Sequence, residues 1–232
     1  MTTQEQRPNC IGFIMDGNRR WARKNGKKGI EGHSEGYKKL KEILNWAKEA
    51  GIPHVIVYAF STENWKRTEE EVGALMKLLT FALSSEVDAL MRQGVRLKFA
   101  GELTLFPRSF QEMMKKAETE TADNGPLTLT VALSYGGRAE ILQAVKRIAQ
   151  LPKAEQEALT EQSFENYLWT SGMPDPDLMV RTGGEVRLSN FLPYQIVYSE
   201  LFFTKTLWPD FSKNEFEAIL KEYSERKRNY GK

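Results

Sequence analysis

Apolar residues along the chain fall into two rhythms. Short runs stand at Cys10–Met15, His54–Phe60, Val95–Ala100, Leu127–Leu133 and Leu178–Val180, and a sixth, Val197–Phe203, is interrupted by polar residues. Runs this short and this apolar predict strands buried between two layers. Between them the spacing lengthens to that of helices. In Ser34–Ala50 the residues Tyr37, Leu40, Ile43, Leu44 and Ala47 form one stripe, and Gly51 with Pro53 supplies a stop. Thr68 before three glutamates predicts a helix start, on capping and dipole grounds, for a helix running to about Met91. Phe106–Thr121, Arg138–Leu151 and Ser212–Arg228 predict three more helices, and residues 151–165 a surface connection with helical character. Strands alternating with helices predict an α/β fold: one domain over residues 1–232, with a mostly parallel central sheet surrounded by helices.

That architecture carries a geometric expectation. Open parallel sheets bind ligands outside the carboxyl ends of their strands. Polar clusters do follow the apolar runs, at Asp16–Arg20, Ser61–Arg67, Ser134–Arg138 and Arg181–Asn190. Four such loops converging on one rim would make a single site.

Composition narrows the classes. The 232 residues carry 33 Lys and Arg against 31 Asp and Glu, so no basic excess points to nucleic acid. No apolar run reaches membrane-spanning length, and Met1–Asn9 lacks the apolar stretch of a signal peptide. The single cysteine, Cys10, excludes an internal disulfide and suits a reducing cytoplasm. Neither a P-loop nor a dinucleotide-binding glycine motif is present.

The rim clusters have the chemistry of a diphosphate site. Asp16 stands where a strand hands over to a loop, followed by Gly17, Asn18, Arg19 and Arg20. Loop amides and Arg20 suit an anion, and a carboxylate beside a diphosphate suits Mg²⁺, which prefers oxygen ligands. A plain Asp-Gly turn would look the same in isolation. In R-T-G-G-E-V-R-L-S-N-F, Arg181 and Arg187 bracket two glycines and Ser189 follows; guanidinium forks suit a diphosphate, although solvated surface arginines share that pattern. Glu200 offers a second carboxylate. Of the two histidines, His54 opens an apolar run and reads as structural; His33, close to the first cluster, could bind phosphate, although its spacing alone gives a structural role the edge.

Taken in order, the segments I-M-D-G-N-R-R-W-A, G-H-x-x-G (Gly32–Gly36), Y-A-F-S-T-E-N-W-K-R (Tyr58–Arg67), Y-G-G-R (Tyr135–Arg138), R-T-G-G-E-V-R-L-S-N-F, Y-S-E-L (Tyr198–Leu201) and W-P-D-F (Trp208–Phe211) closely resemble the undecaprenyl diphosphate synthase family of cis-prenyltransferases. The resemblance runs from about residue 8 to the C-terminus. It implies a cytoplasmic homodimer with a hydrophobic tunnel. Its reaction extends an allylic diphosphate, such as farnesyl diphosphate, with isopentenyl diphosphate. The Z-polyprenyl product would be a precursor of a glycan-carrier lipid, released through peripheral contact with a membrane. By motif match Asp16 binds Mg²⁺. Gly17, Asn18, Arg19, Arg20 and Trp21, with His33, hold the allylic diphosphate. Arg181, Arg187 and Ser189 hold isopentenyl diphosphate, with Glu200 near that metal-linked group. Phe60, Ser61, Asn64, Trp65 and Arg67 line the space between the substrates, with Ser61 and Asn64 assisting the chemistry.

The helix after Thr68 is apolar over an arc broader than a surface helix needs, from Val72 and Leu75 to Leu90 and Met91. A tunnel wall and a core helix explain this equally well. Many family members carry an arginine where Gly29 stands, so the resemblance implies weaker or altered allylic binding. Pro193 and Tyr194, and Asn9 with Cys10, also depart from common pairs without touching an expected ligand. The alternative to an active enzyme is a noncatalytic supporting subunit, which would not need Asp16, Asn64, Arg181, Arg187, Ser189 and Glu200 together.

Overall fold

A computed structural model of the chain describes residues 7–226. Six strands, β1 (Cys10–Ile14), β2 (His54–Ser61), β3 (Val95–Ala100), β4 (Leu127–Tyr135), β5 (Leu178–Arg181) and β6 (Glu200–Phe203), form one sheet in the order β3-β4-β2-β1-β5-β6. Every neighbouring pair is parallel. The first strand is central. The chain builds outward on its β2 side before returning to add β5 and β6 on the other, so the order reverses at β1. Such a switch point opens a crevice at the carboxyl ends of the strands flanking it.

Alternation along the strands divides the core into layers. Ile11 and Phe13 of β1 join Val55, Val57, Leu178 and Val180 on one face; Cys10 and Ile14 join Ile56 and Met179 on the other. The first face is covered by α2 (Gly29–Glu49), through Leu40, Ile43, Leu44 and Ala47, and by α9 (Lys213–Glu225), through Phe216 and Tyr223. Trp208 and Phe211 stack at 6.1 Å and pack on Phe13.

Most expected elements are present, with instructive differences. Asn18, Arg19 and Arg20, expected in a loop, open a short helix, α1 (Asn18–Lys24). It has only Trp21 and Ala22 as apolar residues and therefore no stripe to read. The helix after Thr68 starts as expected, with the Thr68 hydroxyl accepting from Glu71 N, but it breaks at Glu86 into α3 (Glu69–Ser85) and α4 (Val87–Arg92). The helices expected around 106–121 and 138–151 are α5 (Arg108–Glu120) and α6 (Gly137–Ile148). The 151–165 connection contains α7 (Lys153–Glu157) and α8 (Glu161–Phe164). The sixth strand is shorter than its apolar run, because Val197 and Tyr198 project into solvent. Positions 227 and 228 of the expected last helix lie outside the described residues.

Although α3 is rich in apolar side chains, only Leu75 is fully buried. The helix stands off the sheet, and an almost wholly apolar cavity of about 90 Å³ lies between Leu79, Ala82 and Leu83 on α3 and Val57, Leu129 and Val131 on the strands. No helix among the described residues is long and apolar enough to cross a membrane.

Candidate active site

The expected convergence occurs at the switch point. The ladders pair Ile14 with Arg181, so the loops after β1 and β5 leave the sheet side by side. Gly17 has φ 112°, and a Cβ there would meet Leu207 at 3.0 Å, so this turn needs glycine. Gly183, at φ 86°, lets the two loops touch: a Cβ would lie 2.4 Å from Arg20 Nη2 and 3.1 Å from the Asp16 backbone. The Asp16 carbonyl accepts from the Thr182 hydroxyl at 2.8 Å and from Trp208 N at 3.0 Å. Each Asp16 carboxylate oxygen then takes one guanidinium: Arg20 Nη2 donates to Oδ1 at 3.0 Å and Arg181 Nη2 to Oδ2 at 2.9 Å.

Arg181 is the hub of the β5 side. It is 4% exposed, and its Nη1 donates to the Arg187 carbonyl at 2.6 Å and to Ser189 Oγ at 2.8 Å. Its Nε is buried with no hydrogen-bond partner among the described residues. Arg187 is exposed and pairs with Glu185. A hollow of about 160 Å³ opens beside Asp16, bounded by Ile14, Met15, Tyr58, Ser61, Asn64 and Ser189. The turn after β2 is held by Asn64, whose Oδ1 accepts from Ser61 N at 3.0 Å. Trp65 donates to Ser134 Oγ at 2.8 Å and packs edge-on against Phe60 at 4.8 Å, so both aromatic rings are anchored beneath the turn.

The residues expected to take the allylic diphosphate form a second wall of the same rim. Asn18, His33, Asn64 and Arg67 line a cavity of about 190 Å³ that also touches Tyr37 and Leu79 of the apolar region. Arg19, Lys28, Gly29, His33, Arg67 and Glu71 line an adjoining one of about 460 Å³. Burial, then the charges of Arg67 and Arg19, push the His33 imidazole down to about 4, so it is neutral near pH 7. Desolvation, then Arg19, also lowers the Arg67 guanidinium. Arg19 is paired with Glu71 at 2.8 Å.

Thus Asp16, Ser61, Asn64 and Ser189 share one hollow, while His33, Arg19 and Arg67 gather beside it. Gly17, Arg20, Phe60, Trp65, Arg181 and Arg187 flank the rim without lining these cavities, and two candidates are placed elsewhere. Trp21 donates to Asp210 Oδ1 at 2.6 Å, beneath Lys27, and lines none of these cavities. Glu200 is level with Leu178 and Ile11 in the ladders, three positions below Arg181 at the amino end of the sheet, where it pairs with Arg226 at 2.5 Å. Within one chain it therefore does not reach Asp16: sequence nearness to the rim motif does not reveal which end of a strand a residue occupies.

The geometry also reassigns the G-H-x-x-G segment. Gly32 and Gly36 lie one turn apart on α2, where added Cβ atoms would come within 2.1 Å of Asn18 O and 2.2 Å of Asn18 Oδ1. These glycines let α2 press directly on the start of α1. Sequence reasoning passed over Tyr58, Glu63 and Asn190, although all lie inside the quoted motifs; only the packing around the hollow singles them out.

The family described as "Putative undecaprenyl diphosphate synthase" matches residues 14–231. The chain belongs to this family of prenyltransferases. It is 44% identical over 224 residues to the isoprenyl transferase of Fusobacterium nucleatum, covering 97% of this chain and 96% of that protein. It is 47% identical over 230 residues to a Pyrococcus horikoshii tritrans,polycis-undecaprenyl-diphosphate synthase described as geranylgeranyl-diphosphate specific, covering 97% and 87%. The solved structure of lavandulyl diphosphate synthase from Lavandula x intermedia, in complex with dimethylallyl diphosphate, superposes with a TM-score of 0.91 at 33% identity, covering 97% of this chain and 98% of that one.

Proposed function

We propose that this chain, acting over its whole length as one catalytic domain, joins isopentenyl diphosphate to an allylic diphosphate such as farnesyl diphosphate and makes a Z-polyprenyl diphosphate. The observation that carries this reading is the position of Asp16. One carboxylate, bonded to an arginine of α1 and an arginine at the end of β5, faces a hollow shared with Ser61, Asn64 and Ser189.

In the reaction the allylic C–O bond breaks and the diphosphate leaves with its electron pair. The isopentenyl double bond attacks the allylic carbon, and a proton is lost to restore an alkene. The chain's contribution is to hold both diphosphates and align the reacting carbons. The amides that open α1, with Arg19, Arg20, His33 and Arg67, receive the allylic diphosphate. Neutral His33 can donate a hydrogen bond without adding charge. Arg187, Ser189 and the unpartnered Arg181 Nε receive the isopentenyl diphosphate, and Ser61 and Asn64 orient it. Phe60 and Trp65 shield the reacting carbons, and the growing tail passes Tyr37 and Leu79 into the apolar cavity.

Mg²⁺ fits the donor set. Asp16 would hold it, as a carboxylate facing the hollow, in keeping with the preference of Mg²⁺ for carboxylate and phosphate oxygens. When bound there, the ion would neutralise charge on the leaving diphosphate. We assign the protein to the cytoplasm as a homodimer, its product a precursor of a glycan-carrier lipid released by peripheral contact with a membrane. Among the described residues β6 has an unpaired edge, and that edge, with Val197, Tyr198 and Leu201 exposed at or beside it, supports the dimer.

The test is extension of farnesyl diphosphate by labelled isopentenyl diphosphate with Mg²⁺, with and without a chelator. Asp16→Asn keeps an acceptor for one of the two arginines but removes the charge, and should lower turnover by about 100-fold or more. Full activity of that variant would contradict the role of Asp16; no extension by folded wild type would contradict the function.

A further inference from the structure

The segment that presents Ser189 is held in a costly backbone conformation. Ser189, Asn190 and Leu192 have φ of 49°, 65° and 50°, three non-glycine residues in the left-handed region within four positions. Such a conformation persists only when its surroundings over-determine it. Most of those restraints converge on Asn190. Its carbonyl accepts from Gly137 N at 2.8 Å, its Oδ1 from Arg138 N at 3.0 Å, and its Nδ2 donates to Glu63 Oε1 at 3.1 Å. The next residue, Phe191, stacks flat on Tyr58 at 4.4 Å, and the Tyr58 hydroxyl donates to the Tyr135 carbonyl at 3.1 Å with that of Ser189 at 3.4 Å.

The bond to Glu63 reaches a different loop. Glu63 lies in the turn Thr62–Lys66, between Ser61 and Asn64. Its other carboxylate oxygen accepts from the Thr62 hydroxyl at 3.2 Å. Gly136 makes room for this junction: a Cβ there would lie 2.5 Å from Thr62 Oγ1 and 2.9 Å from Asn190 Nδ2. With Oδ1 committed to Arg138 N, the amide can present only its NH₂ to Glu63.

We infer that Asn190 is a positioning residue that latches the loop carrying Ser189 to the loop carrying Ser61 and Asn64, through Glu63. Both walls of the isopentenyl diphosphate pocket are thereby set before substrate arrives. This assignment of a kinetic consequence rests on the function proposed above; the latch itself does not.

Asn190→Asp keeps the acceptor for Arg138 N but turns a carboxylate toward Glu63, which breaks the latch and adds repulsion. Glu63→Gln in that background supplies an NH₂ to the new carboxylate and reverses the polarity of the same bond. The first readout is hydrogen exchange of residues 61–67 without substrate. N190D should speed it by about tenfold, the worth of one charge-assisted hydrogen bond, and N190D/E63Q should return it toward wild type. In the extension assay N190D should raise the isopentenyl diphosphate KM by about tenfold with the allylic KM unchanged, again reversed in the double variant. Unchanged exchange in N190D, or a double variant no better than the single, would overturn the latch. If wild type extends nothing, the function is wrong, and the exchange experiment still decides the latch.

Discussion

At residue scale, the site is built from side chains whose charges are already committed. Arg20 and Arg181 occupy Asp16, Glu71 occupies Arg19, and Glu185 occupies Arg187. Two diphosphates must therefore exchange partners with groups that are preorganised but not empty. In the proposed site, Gly29 is where the wall assigned to the allylic diphosphate is thin. Among the described residues a Cβ at this position meets only Arg19 Cγ, at 3.8 Å, so the backbone has room to carry a side chain there. Gly29→Arg should lower the allylic KM by about tenfold, because a bidentate guanidinium adds one or two charge-assisted bonds; an unchanged KM in steady-state assays would count against it. His33 gives a pH prediction. Its folded value of about 4 lies below the ordinary 6.5, so between those values the unfolded chain binds more protons. Stability should rise with pH across that window and fall on acidification, and His33→Gln should flatten the slope of melting temperature against pH. Parallel curves would refute this. The residue types were legible in sequence because diphosphate chemistry demands carboxylate and guanidinium at strand ends. Their pairings were not, since Arg181 meets Asp16 only through the β1–β5 ladder.

Elements explain what the motifs could not. The strands declared themselves because they are buried on both faces, and five of the six apolar runs match their strands closely. The α1 helix was hidden: N-R-R-W-A-R-K has no periodic face, and it is stabilised by contact with α2 through Gly32 and Gly36. That contact yields a test. Gly36→Ala forces a methyl to within 2.2 Å of Asn18 Oδ1 and 2.9 Å of the Trp208 ring. It should cost about 1–3 kcal/mol of stability by overpacking, measured as a lower denaturation midpoint, and should weaken allylic binding by displacing Asn18. An unchanged midpoint would show that the two helices are less tightly coupled than their packing indicates. The break at Glu86 was equally invisible, because the apolar residues continue through it. Glu86 pairs there with Lys41 of α2 at 3.1 Å, tying the end of α3 across the edge of the apolar region.

For the whole molecule, the order β3-β4-β2-β1-β5-β6 brings distant parts of the sequence to one rim. The same topology carries Glu200 to the opposite end, a separation that no motif spacing encodes. It also leaves β6 as an open edge beside exposed Val197 and Tyr198. If that edge pairs two copies, sedimentation should give twice the 26.6 kDa chain mass, and Tyr198→Asp with Leu201→Asp should return it to one. A wild-type monomer would rule the dimer out.

The proposed reaction joins two diphosphates at this rim through a new carbon–carbon bond with cis geometry. It is tested most directly by incubating the wild-type protein with Mg²⁺, farnesyl diphosphate and ¹³C-labelled isopentenyl diphosphate, then reading the product by NMR. The predicted result is a lengthened diphosphate in which every newly formed double bond is Z. New E double bonds, or labelled isopentenyl diphosphate recovered unjoined from folded protein, would contradict it.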